Sequence, residues 1–244
     1  YYDDLGPGMK ELENRFTKAI LNSDNLDGLK EKFGDHYFKL KEVEEKTFDP
    51  RIMDMLHEET KMENEYTTLI AGAEIKFKGE TYNLAGLGPF HQDLDRKIRK
   101  ESYKARFAFF KQNTEKLDDL YDRMVKLRHK IATTLGYDNF IPLGYMRLGR
   151  TDYGPEEVKV FRDQIKREVV PLATKLNDRR KRNLGLDKMY IYDTIHFADG
   201  NPKPQGTPEE LVKHAQTMYK ELSPETDEFF SIMVNDELLD LVNR

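Results

Sequence analysis

The sequence predicts a mainly α fold with one small β element. Three observations carry that prediction: four helix starts written in the same chemistry, long stretches with apolar residues at helical spacing, and a segment where that spacing gives way to alternation. The starts are Asp49-Pro50, Gly154-Pro155, Thr207-Pro208 and Ser223-Pro224. Each sets a residue able to cap or turn before a proline whose missing N–H costs nothing at the first helical position. Thr207 with Glu210 also reads as a capping box.

Taken in order, Leu5, Met9, Leu12 and Phe16 keep a helical period from the opening Tyr1, so the chain is expected to begin inside something longer. After Asp49-Pro50, Ile52, Met55, Leu56, Met62, Tyr66 and Leu69 recur as a helix core face. Ala73 to Leu84 then alternates, with Ile75 and Phe77 before Lys78-Gly79 and Tyr82 and Leu84 after it, which predicts a hairpin turning at Lys78-Gly79. A helix from about Asp95 ends in Phe107, Phe109 and Phe110. The run Leu117, Leu120, Tyr121, Met124, Leu127, Ile131 and Leu135 makes another, stopped by Gly136. The alternation from Met189 to Phe197 predicts a short strand, and Asp199–Gly206 reads as a connecting loop. Leu238, Leu239 and Val242 keep helical spacing towards Arg244. The expected organisation is an N-terminal helical region, 1–134, with a hairpin near 73–84. A helical middle region, 135–244, follows with a short strand near 189–197, the two forming one continuous lobe.

Composition narrows the function classes. The chain has 244 residues, 40 Lys+Arg against 45 Asp+Glu, and a formal net charge of −5. A mean hydropathy of −0.79 and no run near the roughly 18 apolar residues of a membrane span predict a soluble protein with no membrane partner. The 14 Phe and 13 Tyr supply apolar mass that a disordered tail lacks. Basic stretches such as Arg179-Arg-Lys-Arg182 alternate with acidic ones, and a pI near 5.8 argues against nucleic acid. Zero cysteines exclude disulfides, thiolate metal sites and cysteine nucleophiles, and fit a reducing, cytoplasmic compartment.

Catalytic motifs are scarce. His57-Glu58-Glu59-Thr60-Lys61 is one residue short of the H-E-x-x-H zinc motif, because Lys61, a cation, stands where the second ligand belongs. His36, His91, His129, His196 and His214 are isolated in sequence. Gly86-Leu-Gly-Pro89 lacks the lysine of a phosphate loop, and no G-x-S-x-G elbow is present.

A different signal comes from Leu135-Gly-Tyr-Asp-Asn-Phe140 followed by Tyr145-Met-Arg-Leu-Gly-Arg-Thr-Asp-Tyr153. It continues through Val158-Lys-Val-Phe161, Glu168-Val-Val-Pro171, Gly200-Asn-Pro-Lys-Pro204, Met218-Tyr-Lys-Glu-Leu-Ser-Pro224 and Glu228-Phe-Phe230. This succession of unlike motifs resembles oligoendopeptidase F and the Pz-peptidases, of the thimet oligopeptidase family of zinc metallopeptidases. The resemblance implies a multi-helix lobe of a two-lobed enzyme that hydrolyses short peptides in an enclosed channel. It implies zinc as cofactor and short peptides as substrates, with the zinc ligands, the catalytic groups and the rest of the enzyme in a C-terminal part beyond this chain. No residue here is therefore assigned to catalysis or to metal. By position, Tyr190, Tyr192 and His196 are the candidates for contact with substrate peptide, although a plain core strand explains the same stretch. Arg147, Arg150 and Tyr153 draw the same comparison, and an arginine in such a motif more often buries an ion pair between helices. The alternative reading is a non-catalytic helical binding or scaffold domain derived from the peptidase fold.

Overall fold

A computed structural model describes residues 6–202 and 205–241. Helices α1 (Gly6–Leu21), α2 (Leu26–Phe33) and α3 (Asp35–Glu45) lead to a 3₁₀ turn (Pro50–Ile52) that runs into α4 (Met53–Ala71). A hairpin of β1 (Ile75–Phe77) and β2 (Glu80–Tyr82) follows, then α5 (Gly88–His91), α6 (Arg96–Gln112), α7 (Thr114–Thr134) and α8 (Phe140–Arg147). Next come α9 (Pro155–Gln164), a π turn (Ile165–Val169), α10 (Val170–Asn183), α11 (Pro208–Leu222) and α12 (Pro224–Asn235). The chain is mainly α, as its sequence predicts.

All four proline starts open helical turns, and the caps satisfy N–H groups that the first turn leaves unpaired. The Asp49 carboxylate accepts from the Arg51 N–H at 2.8 Å. Thr207 and Glu210 bond each other's backbone N–H reciprocally, at 3.3 and 2.7 Å. Ser223 does the same with Thr226, while the Glu157 carboxylate takes the Gly154 N–H at 2.8 Å. Gly136, at φ +91°, ends α7 in the left-handed region, with the Tyr137 N–H bonded back to the Ala132 carbonyl.

The hairpin register pairs Ile75 with Tyr82 and Phe77 with Glu80. Lys78 and Gly79 both hold positive φ, +49° and +88°, the signature of a two-residue turn whose twist matches the strands. Phe77 and Tyr82 both pack edge-on against the Phe90 ring of α5, at 5.0 and 5.2 Å.

Two expected elements are absent. Residues 189–197 form no strand. The Asp193 N–H closes a turn on the Tyr190 carbonyl at 2.9 Å, and among the described residues no strand pairs with the stretch. Alternation specifies a strand only where a ladder partner exists. Beyond Asn235 the helix also stops: Glu237 is left-handed at φ +54°, and the Leu238 N–H bonds back to the Met233 carbonyl. Leu5 and Val242 lie outside the described residues.

The chain divides into two compact units, whose edges fall at 73/74, 107/108 and 177/178 rather than at 134/135. Unit 1 takes the chain up to Ala73 together with Ala108–Asn177. Its core is Ile52, Leu56, Ile131, Ala132 and Leu143, with Phe48, Met55, Leu127, Leu135, Tyr137 and Phe140 packed around them. Two expected core residues stay outside: Tyr66 and Tyr121 are 50% and 73% exposed, on an open groove between α4 and α7. On α1 the polar Asn14 and Thr17 are buried while Met9, Leu12 and Phe16 are exposed. Unit 2 takes Glu74–Phe107 and the chain from Asp178 on, and buries Ile75, Leu87, Ile195 and Phe230.

Candidate functional site

The tyrosine stretch of unit 2 is built around a buried acid. Asp193 is 1% exposed and receives the Arg96 guanidinium in bidentate fashion, at 2.7 and 2.9 Å. The Tyr190 N–H donates to its other side at 2.8 Å, and Arg99 stands 3.7 Å away. Arg99, itself buried, spends its remaining donors on the carbonyls of Tyr192, Asp93 and Leu94. Burial alone pushes the Asp193 carboxyl up. The Arg96 bonds, the Tyr190 N–H and the two arginine charges outweigh it and hold the group below the ordinary aspartate value.

This acid sets the geometry of two of the three candidate peptide contacts. Tyr190 and Tyr192 stack face to face, centroids 5.2 Å apart and planes within 6°, with the Arg96 guanidinium 5.8 and 5.2 Å from the rings. The Lys188 ammonium lies 5.2 Å from the Tyr190 ring. His196 is not part of that stack. Its ring nitrogens sit 3.2 Å from the Arg180 guanidinium and 3.2 Å from the Asn201 side-chain oxygen. The structure thus brings Tyr190 and Tyr192 together and leaves His196 in a separate exposed cluster. The stack offers flat aromatic area beside positive charge, which suits an extended backbone or a carboxylate; it holds no nucleophile paired with a base.

In unit 1, Arg147 makes the interhelical ion pair its motif suggests. Its Nη1 donates to both oxygens of Glu59, at 3.0 and 2.8 Å, tying α8 to α4. Arg128 on α7 adds a bond at 2.7 Å to the same carboxylate, and both guanidinium groups lie 5.6 to 5.7 Å from the Phe140 ring. Arg150 packs on Tyr145 and Tyr153, at 4.4 and 5.5 Å. Sequence reading missed Glu59 and Asp193. Glu59 had a signal, since it falls on the core-facing row Leu56, Glu59, Met62; Asp193 had one only in Arg96 and Arg99, a turn apart on one helix face.

Zinc finds no fit here. Among the described residues no group of three or more His, Asp or Glu could hold a metal ion. His57 and Glu58 lie on α4 with Lys61 one turn on, and His36, His129 and His214 are exposed and scattered. His91 is half-buried against Tyr103, and burial and the Arg106 charge hold it below the ordinary histidine value. No helix of the described chain is long and apolar enough to cross a membrane.

A family model described as Peptidase family M3 matches residues 90–223, more than half of the chain. The chain belongs to peptidase family M3. A second model, the Peptidase M3 N-terminal domain, matches residues 1–48 of this M3 chain. Among solved structures it is similar to Pz peptidase A determined with an inhibitor: 44% identity, a TM-score of 0.95, and 99% of this chain against 43% of that one. A chain described as oligoendopeptidase F matches at 44% identity and TM-score 0.94 over 99% of this chain and 43% of the other. Another so described, from Bacillus anthracis strain Ames, gives 40% identity and TM-score 0.94 over 100% and 45%. The M3 chain therefore spans less than half the length of the solved chains it matches. No curated protein matches it.

Proposed function

We propose that this M3 chain is the N-terminal and middle part of a zinc-dependent oligoendopeptidase that hydrolyses short peptides in an enclosed channel, in the cytoplasm. The zinc ligands and the general base then belong to the remaining part of the enzyme. The likeness to Pz peptidase A over 99% of the chain at 44% identity carries this reading. No chemical step is therefore assigned to a residue of this chain. What its residues do in this reading is bind and orient: Tyr190 and Tyr192, held in place by Arg96 and Asp193, are proposed to touch the peptide, and His196 to touch it from its separate cluster with Arg180 and Asn201.

Three tubes test it: this chain, the separately made remaining part, and both together, each with a short quenched-fluorescent peptide. Cleavage is expected only in the third, and a chelator should abolish it. In that tube Tyr192→Ala should raise KM several-fold with a smaller effect on kcat. Chelator-insensitive hydrolysis by this chain alone, once contaminating proteases are excluded, would overturn the assignment.

A further inference from the structure

The helix running through α9, the π turn and α10 has no buried residue. Every residue from 159 to 179 is exposed. A helix with a polar surface all round tolerates that, but this one presents Phe161, Ile165, Val169, Leu172 and Leu176, spaced by four, four, three and four, at 36 to 61% exposure. Most helical stability in proteins comes from packing an apolar face, and contiguous exposed apolar patches mark interaction sites. Lys166, Lys175 and Arg179 stand along the same helix and make no ion pair among the described residues.

We propose that this helix is the docking face for the remaining part of the longer peptidase chain, which covers the stripe with an apolar surface rimmed by acidic side chains. The inference rests on the reading above. Two observations select this occupant. The solved chains similar to this one are more than twice as long, so a large body of polypeptide is available to cover the face. A second copy of the chain, by contrast, would lay one basic helix against another, and like charges across a contact disfavour that pairing.

The absence of cysteine makes the test direct. Leu172→Cys places a thiol on the stripe, and Thr174→Cys, two residues on, places one on the opposite side of the helix. In the isolated 244-residue chain a maleimide should label both at similar rates. In the full-length protein Leu172→Cys should react at least tenfold more slowly, with labelled peptides assigned by mass, while Thr174→Cys changes less than twofold. Equal labelling of Leu172→Cys in the two forms overturns the proposal. So does protection in the isolated chain that grows with its concentration, which marks a second copy as the occupant, and so does a gene that encodes no further polypeptide. Peptidase activity measured on the same preparation separates the two ideas. Activity with an unprotected thiol removes the docking face alone; protection without activity removes the peptidase reading alone.

Discussion

Glu59 is an acid where the helix period asks for a hydrocarbon, and its side chain is only 8% exposed. A carboxylate in that position is tolerable because Arg128 and Arg147 both reach it, and losing the acid leaves the Arg147 guanidinium partly buried with no carboxylate opposite and Arg128 with only the exposed Glu63. Glu59→Ala is therefore expected to destabilise the chain by about 3 kcal/mol in denaturant unfolding. Arg123→Ala, which breaks exposed pairs with Glu65 and Asp119, should cost less than about 1 kcal/mol. Asp193 gives a pH signature instead. Its folded-state pKa lies below its unfolded value of about 3.9, so its contribution is fully present above that pH and fades as pH falls through the folded value. The unfolding midpoint should drop as pH falls below about 4, and Asp193→Asn should flatten that drop while lowering stability at pH 7. A wild-type midpoint that does not change over this range would contradict the assignment of charge to the buried acid. At this scale the sequence was half legible: hydrophobic burial followed the helical period at Ile52, Leu56, Met62 and Ile131, but the two buried acids depend on partners 69 to 97 residues away.

At the scale of elements, local chemistry was read well wherever it closes on itself. Proline starts, caps and the Lys78-Gly79 turn need only neighbours within a few residues, so their sequence is sufficient to specify them. Gly79 sits at φ +88°, where a β-branched side chain is strained, although no atom lies within 4 Å of where its Cβ would be. Gly79→Val should cost on the order of 1 kcal/mol or more, seen as a lowered thermal midpoint, through backbone strain alone. An unchanged midpoint would count against the turn. The stretch 189–197 was misread for the opposite reason. Its alternation is real, but no strand among the described residues lies alongside it, and the Asp193 carboxylate, bound to Arg96 and to the Tyr190 N–H, holds the chain in a turn. The end of α12 was misread because apolar spacing continues past Asn235 while the backbone turns left-handed at Glu237. The exposed stripe on α9 and α10 is the complementary case: its period is plain in the sequence, and nothing among the described residues buries it.

For the whole molecule, family membership was legible because several unlike motifs occur in one order, a property that composition and periodicity do not carry. No metal site was legible, and among the described residues no group of three or more His, Asp or Glu could hold a metal ion. The division into units was hidden as well, because it depends on which distant segments meet and not on any local pattern. Each unit draws on two separated stretches of chain, and α6 and α10 each carry the chain from one unit into the other. That interleaving bears on how the chain is born. On the ribosome, the helices up to Ala73 emerge first, yet Ile131, Ala132 and Leu143, the other half of their core, leave the tunnel only after Glu74–Phe107 has passed. At about 5 to 20 residues per second this is a wait of several seconds with Ile52 and Leu56 uncovered. The nascent chain thus has a window of exposure written into its topology, one that a chaperone could occupy and that a slower stretch of codons would lengthen.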